Sequence, residues 1–400
     1  MLRQFRLPIV VALIAALLSF AKFEHCRAVN WVSPDVNTHM CYSDLPALFG
    51  ARDLNHHTFP YASGDKSVEY PVIMGLVMWG TSLFISNPSD YRGYFDLNIF
   101  LIALLLVAST IVLWRLKPEF AFLATLSPPV IASLFINWDM WAIVPALLAL
   151  YWFKERRFDI SAVALSLAIS TKFFPAVILV ALSLALLISK EIKTLLRYLA
   201  IVVGLWLLVN LPIALTYFDG WKHFYAMNIN RPTDLGSIWL ALSIFGIGEP
   251  HINYLTIMLF LIGASAIGIF YKSIAATRTQ FENIATTIFL LIALFTTVSK
   301  VYSPQYVLWL VPFAIVAMTK KEERIAFWVW QGGEFLYHVA IWQYLAASAE
   351  VQFALSPRLY AWSIVVRIAT LLYFCATLAR SAQPNRLNSQ PQFLVDSTRG

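Results

Sequence analysis

Residues 71–86 read PVIMGLVMWGTSLFIS. The run is apolar enough for a membrane span but falls short of the about 20 residues a span needs, and the topology of the chain turns on it. The chain has 400 residues, 60% hydrophobic and 13% charged, the composition of a polytopic membrane protein with no sizeable soluble domain. Its net charge of +7 is gathered in short clusters between apolar runs. These are Arg3/Arg6, Arg115/Lys117, Lys154/Arg156/Arg157, Lys190/Lys193/Arg197, Lys272/Arg278, Lys320/Lys321/Arg324 and Arg380/Arg386/Arg399. Such clusters mark cytoplasmic loops; they are not a nucleic-acid footprint, and no nucleic-acid partner is expected. If 71–86 crosses, the clusters at 115–117 and 154–157 fall outside. If it lies flat on the outer surface, opened by Pro71, every cluster stays inside. The flat arrangement is the expected one.

Outward from that choice, about 12 apolar runs read as spans: 7–23, 97–114, 119–136, 139–153, 158–171, 173–189, 194–215, 252–271, 281–298, 303–319, 325–345 and 357–379. Helices are expected, because backbone in lipid must satisfy its own hydrogen bonds. The fold class is an all-α polytopic membrane protein, one domain over 1–380, set among membrane lipids. Residues 24–96 form the first outer loop, with surface helices over Ser43–Leu54 and 71–86. Residues 158–189 read as a short hairpin whose tip is Ser170-Thr171-Lys172-Phe173-Phe174-Pro175. The start, Arg3 and Arg6 before Leu7–Phe20, reads as a retained first span and not a cleaved signal. Residues 381–400 read as a disordered cytoplasmic tail. Both termini then lie in the cytoplasm of a plasma-membrane protein. No internal repeat is found, which counts against an inverted-repeat transporter. Cys26 and Cys41 flank the start of the outer loop; they are read as free thiols, with pairing open to them in an oxidising compartment.

This topology gathers most of the acids and histidines at the outer face, so any chemistry is extracytoplasmic. No Gly-rich phosphate loop is present, Gly246-Ile-Gly248 being too short a signal. Asp44 follows Ser43 at a loop-to-helix junction: either residue can cap the helix that Pro46 begins, and a carboxylate there can also act as a general base. Glu69, before Tyr70-Pro71, is either a helix-start acid or a second carboxylate that positions substrate or Arg52. Asn137-Trp138-Asp139 is either a capped turn or a binder of sugar hydroxyls. Lys172 either snorkels or awaits an anionic head group; Arg231 and Lys300 are further outer-side cations. Trp221, His223, Tyr225 and Trp239 read as an interfacial aromatic belt. The histidines show no metal-ligand spacing, and His56-His57 reads as exposed loop. No cofactor is expected to be required, with a divalent cation left open. Glu334 and Arg367 fall inside apolar runs and are expected to pair, with His338 one turn from Glu334.

Taken in order, CYSDLPALF (41–49), FPY (59–61), VEYPV (68–72), NWD (137–139), STKFFP (170–175) and SPQYVLWL (303–310) resemble glycosyltransferase family 87. These are polyprenyl-phosphate-mannose-dependent membrane mannosyltransferases of the GT-C fold. The resemblance runs from about Met1 to about Arg380. It implies a GT-C-like bundle, a lipid-phosphate sugar donor, a surface helix after the first outer loop, and an acidic catalytic base in that loop, here Asp44. One departure is plain: Ser43-Asp44-Leu45-Pro46 lacks the paired Asp-x-Asp of some related enzymes. The substrate-contacting set read from the chain is Arg52, Glu69, Tyr70, Asn137, Asp139, Lys172, Arg231, Lys300 and Gln305. The expected activity is inverting transfer of a hexose, mannose by resemblance, from a polyprenyl phosphate to an extracytoplasmic glycan or glycolipid acceptor. A lipid-linked-sugar flippase and a non-catalytic partner in envelope assembly are the alternatives.

Overall fold

The computed structural model describes residues 5–248, 251–274 and 279–382. It is 77% helix, and no strand occurs among the described residues. Residues 383–400, most of the expected tail, lie outside them, as do Arg3, Glu249, Arg278, Arg386 and Arg399; the last helix runs to Ala382.

Among the described residues, six helices are long and apolar enough to cross a membrane: Arg6–Ala28, Tyr91–Leu116, Ile192–Thr216, Ile252–Ile274, Gln280–Val298 and Pro357–Ala382. Leu17, Leu208, Leu215 and Ile269 point out of the bundle with most of their surface exposed. An apolar exterior of this kind suits lipid and would be a liability in water. A further long helix, Glu323–Ala346, turns Glu334, His338 and Gln331 inward, where each is buried.

The other expected spans are shorter or broken. The run 119–136 is two helices, Ala121–Leu126 and Pro128–Ser133. Ser127 between them is extended, as a residue before proline prefers. The expected hairpin is present as Phe158–Thr171 and Ala176–Ile188, of 14 and 13 residues. At 1.5 Å per residue each is about 20 Å long, short of the about 30 Å hydrocarbon core. Lys172 is extended at the break, and Pro175 starts the return.

The loop 24–96, expected on the outer side, carries the two expected helices, Asp44–Ala51 and Val72–Ser82. The second has 11 residues, about 17 Å at helical rise, and is too short to cross. It does not merely rest on the bundle: Val72, Met74, Gly75, Met78, Thr81 and Ser82 are buried. A Cβ on Gly75 would collide with the Tyr61 hydroxyl, so only glycine allows that approach.

One expectation is corrected. Cys26 and Cys41 are not free thiols; they form a disulfide, with Cα atoms 5.8 Å apart. The chain leaves Arg6–Ala28, turns through 29–34 and comes back past the short helix Asp35–Thr38, which returns Cys41 to the helix end. Both cysteines are fully buried there.

The expected pair in the membrane-embedded part is formed. Arg367 Nε donates to Glu334 Oε2 at 2.8 Å, and both side chains are buried. Glu334 also accepts from the Tyr302 hydroxyl at 2.8 Å and from Trp330 Nε1 at 3.1 Å. Arg367 donates in addition to the carbonyls of Tyr302 and Ser303 and lies over the Tyr302 and Tyr337 rings. A planar five-donor guanidinium can do all of this at once. It fixes the loop that precedes Gln305.

Candidate active site

A cavity of about 820 Å³ opens between the outer loop and the bundle. Asp44, Glu69, Tyr70, Asn137, Lys172, Arg231, Lys300 and Gln305 all line it. Two residues of the expected set stand behind this wall. Arg52 Nε holds Glu69 Oε2 at 2.7 Å, and Asp139 holds Lys172 Nζ at 3.1 Å.

Asp44 is delivered by backbone geometry. Ser43 is the helix N-cap, its hydroxyl accepting from the Leu45 amide at 3.2 Å and donating to the Phe135 carbonyl at 2.7 Å. The Asp44 amide donates to the Ile136 carbonyl at 2.7 Å. Capping therefore falls to Ser43, and the Asp44 carboxylate is released from that duty. Its Oδ1 accepts from the Tyr42 hydroxyl at 2.9 Å and its Oδ2 from Asn137 Nδ2 at 2.5 Å. A carboxylate has about four lone-pair sites, so two remain for the cavity. Removal from bulk water raises the Asp44 carboxyl to about 6; the Asn137 and Tyr42 bonds and the Lys172 charge oppose the rise, and Glu69 adds to it. A carboxylate tuned in this direction is a better base near neutral pH.

Asn137 is the hub of this wall. Its Oδ1 accepts from Lys172 Nζ at 2.9 Å and from the Trp138 amide at 2.7 Å, so its NH₂ must face Asp44 and the Tyr70 hydroxyl. Lys172 Nζ also lies 4.3 Å over the Tyr70 ring. Behind it, Asp139 accepts from Trp309 Nε1 at 2.8 Å. Trp309 stacks on Tyr306 at 3.6 Å and on Phe174 at 4.5 Å, a three-ring stack that borders the cavity.

A second polar cluster lines the same cavity. Arg231 pairs with Asp234, and Lys300 Nζ donates to the carbonyls of Ile229 and Arg231 at 2.8 and 2.7 Å. Partial burial and the Arg231 charge lower the Lys300 pKa. Arg231 and Lys300 against Asp234 leave one excess positive charge. On the Asp44 side, Asp44, Glu69 and Asp139 against Arg52 and Lys172 leave one excess negative charge. The cavity is thus polarised, with apolar Phe224, Met227, Phe295, Ile341 and Leu345 also in its walls.

Sequence reasoning missed Tyr42, Asp234, Tyr306 and Trp309. Tyr42 and Asp234 were within reach, one being two residues from Asp44 and the other three from Arg231. Tyr306 and Trp309 sit in a run that reads as buried core. Two outer acids outside the expected set stay apart from the cavity: Asp53 pairs with Lys66 at 2.6 Å, and Asp65 is exposed. His57 is occupied by the Ile85 carbonyl at 3.0 Å.

The fold is GT-C-like. Among solved structures, the crystal structure of ArnT from Cupriavidus metallidurans bound to undecaprenyl phosphate superposes with a TM-score of 0.50. The match covers 94% of this chain and 77% of that one at 14% sequence identity, so the likeness is one of fold. No protein-family model and no curated protein sequence matches the chain, and the similarity to family 87 rests on the quoted motifs.

Proposed function

We propose that the chain is a membrane glycosyltransferase that moves a hexose from a polyprenyl phosphate to a glycan or glycolipid acceptor outside the plasma membrane. Mannose is the sugar the motif resemblance favours. The observation that carries the reading is Asp44, freed from capping by Ser43, raised to about 6, and facing a polarised cavity. ArnT, whose fold the chain shares, holds undecaprenyl phosphate, which supports a polyprenyl lipid as the donor.

In this mechanism the acceptor hydroxyl gives its proton to Asp44 as its oxygen attacks the anomeric carbon. The bond from that carbon to the phosphate oxygen breaks, and the polyprenyl phosphate leaves with the electron pair. A single displacement inverts the anomeric carbon. Arg231 and Lys300 supply the excess positive charge that stabilises the departing phosphate. Lys172, tied to Asp139, orients Asn137 and through it Asp44, and adds its field to the same phosphate. Glu69, Tyr70 and Gln305 contact the sugars, and the Phe174–Trp309–Tyr306 stack offers a flat face. The active site faces outward and both termini face the cytoplasm.

Purified protein given polyprenyl-phosphate-mannose and an acceptor extract tests the reading. The expected result is labelled sugar on the acceptor and free polyprenyl phosphate, both lost in Asp44→Asn. Intact lipid-linked sugar that only changes leaflet would make the protein a flippase instead.

A further inference from the structure

We propose that His25, Asp35 and His39 form a separate site for a divalent transition-metal ion of the zinc class. The site lies outside the cavity, on the segment that walls it. His25 is in the last turn of Arg6–Ala28, Asp35 opens the short helix Asp35–Thr38, and His39 closes it. The Cys26–Cys41 disulfide ties the two segments next to these residues. One ligand atom from each lies within 4.8 Å of the others. His25 Nε2 and Asp35 Oδ2 are 3.1 Å apart. Ligand atoms around a tetrahedral zinc, at 2.0–2.1 Å from the ion, lie about 3.3 Å from one another.

An ion pair of His25 and Asp35 accounts for two of the three residues; His39 joins them by stacking, and one imidazole must turn about its side-chain torsions for both in-plane lone pairs to meet a single ion. The His39 ring stacks on His25 with centroids 3.6 Å apart. Its Nδ1 lies 3.2 Å from the Thr38 hydroxyl, which itself donates to the Pro34 carbonyl at 3.3 Å. A hydroxyl has one proton to give. With Thr38 donating to Pro34, the matching His39 tautomer carries its proton on Nδ1, which Thr38 accepts, and keeps the Nε2 lone pair. Metal-binding imidazoles are held in this way, by a partner on the other ring nitrogen. Arg27 does not compete for Asp35, because it is engaged by Asp96 at 2.7 Å and by Glu24. Two imidazoles and one carboxylate select zinc-like ions over calcium or magnesium; both histidines are exposed and Asp35 is half-buried.

The role is structural. Val36 and Asn37, between the ligands, line the cavity. An ion here would pin that wall a few residues before Tyr42 and Asp44, without touching the reacting atoms.

The test uses full-length protein in detergent, purified without a histidine tag and stripped with EDTA. Zinc is titrated by calorimetry, and cobalt is followed by its visible absorption. Wild type is expected to take up one zinc that His39→Gln and Asp35→Asn do not, and to show a tetrahedral cobalt spectrum. Thr38→Val, which keeps every ligand, should weaken zinc binding by about 10–100-fold. His56→Gln should bind as wild type does. With zinc, the thermal midpoint should rise in wild type but not in His39→Gln, whose metal-free midpoint should match that of wild type. Equal zinc uptake by wild type, His39→Gln and Asp35→Asn, or no uptake by wild type, would overturn the site.

Discussion

Asp139 holds the Lys172 ammonium from behind at 3.1 Å, with no exposed surface of its own. The lysine is therefore half of a buried pair as well as a cation at the cavity. Lys172→Ala should cost stability of about 3–5 kcal/mol, because it strands a buried carboxylate. Lys172→Ala with Asp139→Asn should regain much of that stability in a melting experiment. Donor use should stay impaired in the double variant, since Asn137 and Asp44 lose their orientation. Recovery of donor kinetics along with stability would reduce Lys172 to a structural role.

Asp44→Asn removes the base but keeps the shape, and Ser43 still caps the helix. Transfer should fall by about 10²–10⁴-fold, while the melting midpoint should not fall. Substantial turnover in the purified variant would move the base to Glu69, the neighbouring carboxylate at the cavity wall.

The Asp44 carboxyl, raised from 3.8 to about 6, sets a pH signature. As a base it must be ionised, so kcat/KM should fall about tenfold per unit below pH 6. Its effect on stability has the opposite sign. The folded state holds this proton more tightly than the unfolded chain, so the contribution is full below 3.8 and is lost as pH rises through about 6. A kcat/KM profile flat from pH 7 to 5 would rule out a base tuned in this way.

Glu334→Gln leaves Arg367 without its carboxylate in a dry interior, at a cost of about 3–5 kcal/mol. Denaturation in mild detergent should show the loss, while turnover per folded molecule should remain. A stable but inactive Glu334→Gln protein would put the pair on the substrate path.

The outer-loop assignment is open to labelling. Ser63 and Ser89 are exposed on either side of Val72–Ser82. Single cysteines placed there, in a Cys375→Ala background, should both react with an impermeant reagent added from outside. Reaction at 89 only after permeabilisation would mean that the chain crosses between them.

The long apolar runs made the helical bundle legible, because length in lipid leaves the backbone no other choice. Glu334 and Arg367 were legible for a related reason, since neither charge can stay unpaired at that depth. The break at Ser127 was written in Pro128 and Pro129 but is easily masked by the apolar residues around it. Asp44 stood out as an acid at a helix start. Its partners did not: Asn137 lies 93 residues away, and no local spacing encodes that meeting. Asp139 behind Lys172 and the Cys26–Cys41 pair escaped for the same reason. Their proximity is made by chain turns and helix packing, which periodicity does not report.

Ser43 and Asp44 reach across to the carbonyls of Phe135 and Ile136 just as the broken helix releases its backbone. The outer loop and the membrane bundle are therefore not interchangeable modules. A chimera that grafts residues 24–96 from another protein would inherit an acid but not the seat it is registered against. Diversification of such proteins should accordingly favour the apolar lining of the far wall, Phe224, Met227 and Phe295, which can change without disturbing that seam or the charges of Arg231 and Lys300.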